Sequence, residues 1–213
     1  MSTNEEGAVH RSRGRPREFD RAAALRCAME IFWKKGFDAC SMGDLNEAMA
    51  INSPSLYAAF GSKETLFREA VELYVREEGG AAFRELQAHE SARDALRAMF
   101  RTSVALFTGA QVPRGCMIFL SGMSVSAAHP ELREFLRKLR RNVAQAITAR
   151  LAQAKAQGEL SASADTKALA NLCVTVFSGL SIEALDGVKR TALNEAIEQF
   201  LATLPWRERK NRA

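Results

Sequence analysis

Side chains able to do chemistry are sparse in this 213-residue chain, and their spacing limits what they can do. Cys27, Cys40, Cys116 and Cys173 lie far apart with no C-x-x-C pair, so zinc and iron–sulfur spacing is absent. They read as reduced thiols of a cytosolic protein, two of them core fillers. His10, His89 and His129 are scattered, with no acid at helical spacing, and are given no catalytic or metal role. There is no Gly-rich phosphate loop and no supported Ser/His/Asp or Cys/His set. An enzyme is therefore not expected, and no cofactor or metal is implied. The concentrated feature is cationic: Arg11, Arg13, Arg15 and Arg17 fall within seven residues with no acid among them.

The net charge of +5 does not by itself mark a nucleic-acid binder. Residues 1–65 carry nine Arg/Lys and nine Asp/Glu, and the excess lies further on, around Arg133 to Arg141 and Arg207 to Arg212. Local clustering is the better signal. With 47% hydrophobic and 26% charged residues the chain has the composition of a globular protein with a real core. No apolar run approaches the roughly 18 residues of a membrane span, and the start has no signal-peptide core. A cytoplasmic protein with no membrane partner is expected.

The elements that must position these groups read as helices. Residues 1–19 form a polar, flexible basic arm. Asp20 caps a first helix whose Ala24, Ala28, Ile31 and Phe32 share one face, and Gly36 ends it. Ser41 caps a second, with Asp44 three residues on as a weak capping box. Asn52 or Ser53 caps a third, short helix, Ser55 to Phe60, with Pro54 in its first turn. Gly61 stops it, and Ser62 caps a fourth that runs from Lys63 through Tyr74. A short helix, tight turn and second short helix is the layout of a helix-turn-helix, whose second helix offers its N-terminal residues to a major groove. Beyond Gly79-Gly80 helices are expected near 92–109, 117–128, 131–157, 165–186 and 192–204, with no alternating strand pattern. The fold class is all-α.

The stretch AMEIFWKKGFDACSMGDLNEAMAINSPSLYAAFGSKETLFREAVELY resembles the N-terminal domain of the tetracycline-repressor (TetR) family of bacterial transcription regulators. The match covers about residues 20–75 and rests on Ala28, Phe32, Gly36-Phe37, Ser41, Leu45, Ile51, Leu56-Tyr57, Phe60, Lys63 and Leu66. Ala50 stands where the family usually has glycine, so the turn is expected to be strained. Gly43 stands where some members carry a base-reading side chain. The resemblance implies a helix-turn-helix domain over 20–66, an effector-binding and dimerisation bundle over 67–206, and a charged tail at 207–213.

The residues agree with that implication. Ser53 and Ser55, with Pro54 between them, begin the recognition helix and can bond phosphates or base edges. Tyr57 can pack on sugar or a thymine methyl, Lys63 can clamp a phosphate, and Ser41 lies at the start of the first helix of the motif. Leu56 and Phe60 brace the unit as core. Arg13-Gly14-Arg15-Pro16 resembles the core of an AT-hook, which with Arg17 would follow a narrow minor groove; the alternative is a solubilising tail. Few base contacts are expected, so DNA shape carries part of the specificity.

One small helix-turn-helix makes few contacts, so two copies on a palindromic operator are expected. Leu169, Leu172, Val176, Phe177, Leu180 and Ala184, with Ser178, Gly179 and Ser181, give one pairing helix, and Ala192, Ala196, Ile197, Phe200 and Leu201 a second; core packing is the alternative. Met99, Phe100, Phe107, Met117, Phe119 and Met123 in the middle helices, with Phe177, are candidates to line a pocket for a small apolar effector. The reading is a homodimeric, ligand-released repressor on double-stranded DNA. The alternative is a helical protein-interaction module or small-molecule-binding protein that does not act on DNA.

Overall fold

Nearly every helix start in the first half of the chain is fixed by a side chain that accepts an otherwise orphaned backbone N–H. The computed structural model describes residues 20–110 and 115–207. Asp20 accepts from the N–H groups of Ala22 and Ala23, both at 3.0 Å, and opens α1 (Arg21–Lys35). Ser41 and Asp44 close a full capping box on α2 (Met42–Met49). Asn52, not Ser53, caps α3 (Ser53–Phe60), its Oδ1 2.9 Å from Ser55 N. Ser62 caps α4 (Lys63–Tyr74). Each such cap stabilises by about 1 kcal/mol.

The remaining helices are α5 (Gly80–Ala88), α6 (Ala92–Phe107), α7 (Met117–Ser124), α8 (Pro130–Ala156), α9 (Thr166–Leu185) and α10 (Arg190–Thr203). Among the described residues there is no strand, only an isolated bridge between Leu160 and Trp206. The helices from Ala92 onward match the sequence expectation to within a few residues. No helix was expected between Tyr74 and residue 92, yet the chain is helical through most of that stretch. A π-helical turn, Val75–Gly79, carries α4 straight into α5. The glycines mark crowding instead of an end. A Cβ on Gly79 would lie 2.7 Å from the Tyr74 ring, and one on Gly80 2.4 Å from the Val75 carbonyl oxygen. The wide turn brings these groups inward, as π-turns at functional positions often do.

α1 packs on α2 and α4, and α3 on α2 and α4, to make a small head. Its core is aromatic: Phe67 lies 5.1 Å from both Phe32 and Phe37, edge-on to each. The body is built by α5 on α6, α8 on α9, and α10 on α6. Head and body meet at several places, Arg68 of α4 over Phe135 of α8 among them. Trp33 donates its indole N–H to the Gly115 carbonyl (3.0 Å) and stands edge-on to Tyr74 (4.8 Å). Asp38 accepts from Ser126 N (2.7 Å), and His129 packs on Phe37 and lies 3.4 Å from Glu64. His129 thus does have acidic neighbours, supplied by the fold from distant segments, and His89 lies 2.9 Å from Glu85, four residues before it, so the expectation of no acid at helical spacing fails there.

Arg150 is fully buried, with no carboxylate in ion-pair distance among the described residues; its Nη2 donates to the carbonyls of His89 and Glu90, just past the end of α5, and its Nη1 is buried without a partner there. The four cysteines are free, and three of them, Cys40, Cys116 and Cys173, are buried, one more than expected. Among the described residues α9 is long and apolar enough, by length and composition only, to cross a membrane, although no uninterrupted apolar run of that length is present. One face of it, with Ala170, Cys173, Phe177, Leu180 and Ala184, is buried in the bundle.

Ala50 is the only non-glycine residue with positive φ among the described residues, at φ 52° and ψ 40°. An alanine there crowds its Cβ against the carbonyl. The expected outcome of Ala50→Gly is a gain of about 1 kcal/mol in unfolding free energy, read from urea denaturation. An unchanged midpoint would show that the turn carries no strain.

Candidate nucleic-acid interface

The exposed edge of α3 is short and sharply defined. Leu56 and Phe60 turn inward and are buried, while Pro54, Ser55, Tyr57 and Ala58 face solvent. Tyr57 is 50% exposed. Neither the Ser55 nor the Tyr57 side-chain hydroxyl has a protein partner among the described residues. The two hydroxyls and the exposed ring therefore form a surface free to take hydrogen bonds and apolar contact from a groove.

Other elements hold α3 in place. Asn46 of α2 donates to Ser53 Oγ at 2.6 Å, tying the two helices of the motif across their turn. That leaves Ser53 half-buried with its hydroxyl proton and one lone pair uncommitted. Arg21 spans α1 to α3 and α4: it donates to the Ala59 carbonyl (3.3 Å) and to both oxygens of Glu69, and lies 4.5 Å over the Phe60 ring. Sequence reading missed Asn46 and Arg21 as braces. The only local signal is their polarity on otherwise packed helices.

The other candidates are placed differently. The Ser41 hydroxyl accepts from Asp44 N–H and donates to Asp44 Oδ2, so it is committed within the capping box. Lys63 holds its ammonium 4.4 Å over the Phe37 ring, a cation–π contact that folds it onto the head. Arg13, Arg15 and Arg17 lie outside the described residues.

In the body, a cavity of about 480 Å³ opens between the π-turn and α5, α6 and α8. Phe107, Phe119 and Phe177 line it. Met99, Phe100 and Met117 do not; they are fully buried core. Met123 is 69% exposed and borders a separate cleft. Lining residues that sequence reading missed include Tyr74, Val75, Glu77, Glu78 and Gly79, with Asn142 and Ala146 of α8. Those of the π-turn were hidden because no helix was expected between Tyr74 and residue 92. The Tyr74 hydroxyl donates to Cys116 Sγ at 3.5 Å, and burial is the first cause raising the pKa of both groups, so both are protonated. Glu77 and Glu78 at the rim pair with Arg26 of α1, which links the cavity directly to the head. Among the described residues no group of three or more His, Cys, Asp or Glu could hold a metal ion.

The chain matches two family models: "Bacterial regulatory proteins, tetR family" over residues 24–70, and "Tetracyclin repressor-like, C-terminal domain" over residues 92–200. It is 33% identical over 208 residues to the HTH-type transcriptional repressor ComR of Escherichia coli K12, spanning 96% of this chain and 98% of that protein. It is 30% identical over 190 residues to the repressor BdcR of the same organism, 89% and 88% of the two chains. Among solved structures, a cysteine-substituted TetR family regulator, CifR, bound to 26-bp double-strand operator DNA, superposes with a TM-score of 0.85 at 39% identity, covering 90% of this chain and all of that one.

Asp44, which closes the capping box, has its pKa lowered to about 2, first by the hydrogen bond from Lys35, then by the backbone N–H and hydroxyl of Ser41. An unfolded aspartate titrates near 3.9, so this stabilisation is full above about pH 4 and disappears as pH falls towards 2. Asp44→Asn is expected to lower the melting temperature at pH 7 and to flatten its fall below about pH 4. Parallel melting curves for variant and wild type across that range would remove Asp44 from the account.

Proposed function

Because the chain belongs to the TetR family of DNA-binding transcriptional regulators, we propose that it is a homodimeric repressor whose α3 helices enter major grooves of a palindromic operator and which a small, largely apolar molecule releases. The observation that carries this reading is the continuity of one helical run. α4 begins beside α3 at Ser62 and Lys63, and its continuation through Tyr74 and the π-turn forms a wall of the 480 Å³ cavity. Anything that fills the cavity presses on the element that aims α3.

At the DNA end, Ser55 and Tyr57 make the groove contacts. The ring of Tyr57 packs on sugar or a thymine methyl, and the hydroxyls bond phosphates or base edges. Ser53 contributes its remaining proton, Pro54 packs at the helix start, and Lys63 leaves the Phe37 ring for a phosphate. The Arg13, Arg15 and Arg17 arm adds a minor-groove contact. CifR, which is seen on operator DNA, favours DNA over a protein as the target of α3.

At the dimer end, α9 presents Leu172, Ile182 and Leu185 to solvent, 41–49% exposed. Gly179 on the same helix has open space where a Cβ would sit, which lets a second helix approach closely. At the cavity, an apolar effector need only favour a mis-spaced pair of heads by a few kcal/mol to empty the operator. Its polar groups would meet Asn142, Thr102 and the Glu77–Glu78 rim. With operator DNA as its partner, the protein works in the cytoplasm.

A salt-dependent gel shift and footprint with the DNA upstream of the protein's own gene test this. Tyr57→Ala and Ser55→Ala, both at exposed positions, are expected to weaken binding by about tenfold or more while melting as wild type does. Deleting residues 1–17 is expected to weaken binding and reduce its salt slope. Full affinity in the Tyr57 variant would overturn the placement of α3, and an unchanged slope after the deletion would return the arm to a solubilising tail.

A further inference from the structure

α8 carries a basic run, and two of its members have an acidic partner on the helix itself. Arg137 and Arg141 pair with Glu134 on the outer face. Arg140 turns the other way, into a cleft of about 440 Å³ between α7, α8 and α9. Its guanidinium lies flat against the backbone of α7 at Gly122, where a Cβ would come within 2.6 Å of Nη1 and 3.0 Å of Cζ. Among the described residues its one hydrogen bond is from Nη1 to the Ile118 carbonyl, 3.2 Å. Among the described residues no carboxylate lies within ion-pair distance of it. Burial, followed by repulsion from Arg137, lowers its pKa, which is the signature of a cation short of counter-charge.

The rest of the cleft is apolar: Phe119, Leu120, Met123, Val174 and Ile182. Of its two hydroxyls, Ser178 donates to the Val174 carbonyl, and Ser181 accepts from Cys116 N–H and keeps its own proton, each bond being 2.8 Å. Among the described residues Arg140 is the only charged group that lines the cleft. A half-buried guanidinium with free N–H donors beside apolar walls matches a planar oxyanion attached to a hydrocarbon. The charge-assisted pair replaces lost hydration, and the hydrocarbon covers Met123 and Ile182, which are 69% and 41% exposed.

We propose that this cleft is a second ligand site that binds an anionic amphiphile, a carboxylate on an apolar chain or ring, with the carboxylate on Arg140 and the apolar part along Met123 and Ile182. The site shares only Phe119 with the larger cavity and does not depend on the effector reading of that cavity. A carboxylate from a second copy of the chain is the rival occupant, because Ile182 also belongs to the exposed face of α9.

Calorimetric titration of the full-length protein with octanoate, octanol and acetate separates these. Octanoate is expected to bind the wild type and to bind Arg140→Met about tenfold more weakly or worse, while octanol changes by less than about twofold and acetate alone binds far more weakly than octanoate. Ser178→Asp supplies an internal carboxylate facing the same cleft. It is expected to abolish octanoate binding without removing the arginine, which keeps the test alive if Arg140→Met does not fold. Equal octanoate affinity in wild type and both variants, or none in the wild type, overturns the proposal. If the wild type ignores octanoate and Arg140→Met sediments as a monomer, the cation belongs to the dimer interface and the proposal fails. Operator affinity measured on the same samples reports separately on the regulator reading.

Discussion

The packing of α1 against α4 is the constraint on which the rest of the structure depends. Phe67 of α4 meets Phe32 and Phe37 edge-on at one end of the contact, and Trp33 meets Tyr74 at the other. Edge-to-face aromatic pairs add about 0.5–1.5 kcal/mol each beyond burial and resist sliding, because their attraction depends on ring orientation. The head therefore moves with α4 or not at all. The α3 helix, braced by Arg21 to Glu69 of α4 and by Asn46 to α2, inherits that rigidity. A helix of eight residues would be marginal alone; here its direction is set by side chains it does not own.

The same contact explains why the cavity lies where it does. Tyr74 ends α4 by pointing its hydroxyl at Cys116 in the body, and the chain then widens into the π-turn. An α-helical continuation would shift the register of every later residue of α5 by about 100° for one residue of difference. The wide turn instead places Val75, Gly79 and Gly80 around open space and turns Glu77 and Glu78 back towards Arg26 of α1. Head and cavity are thus joined twice, once through the helix and once through an ion pair. Two joints of different chemistry let the body act on the head without dissolving its core.

The head was legible in the sequence because its signals are local. Ser41, Asn52, Ser62 and Asp20 are caps that work within three residues, and the strain at Ala50 follows from one φ angle. The inward turn of Leu56 and Phe60 and the exposure of Tyr57 follow from helical periodicity. The cavity was less legible. Phe107, Phe119 and Phe177 line it, but Met99, Phe100 and Met117 have the same chemistry and the same helices and are core. Side-chain type does not say on which side of a helix the void falls. Consecutive glycines also carry two meanings, an end of helix or a crowded wall, and only the Tyr74 ring beside Gly79 decides between them.

Arginine shows the limit of such reading most clearly, because one residue type serves two purposes ten positions apart on α8. Arg150 is the more deeply buried, yet its Nη2 has two carbonyl acceptors just beyond the end of α5, where the helix dipole is negative. Backbone carbonyls compensate Nη2, which fastens α8 to the end of α5, while Nη1 is buried with no partner among the described residues. Arg140 is less buried and has one carbonyl, beside an apolar cleft open to solvent. In sequence both are basic residues in a basic helix. Their difference lies entirely in what α5, α7 and α9 bring to them, so the burial of a cation signifies function only once its acceptors have been counted.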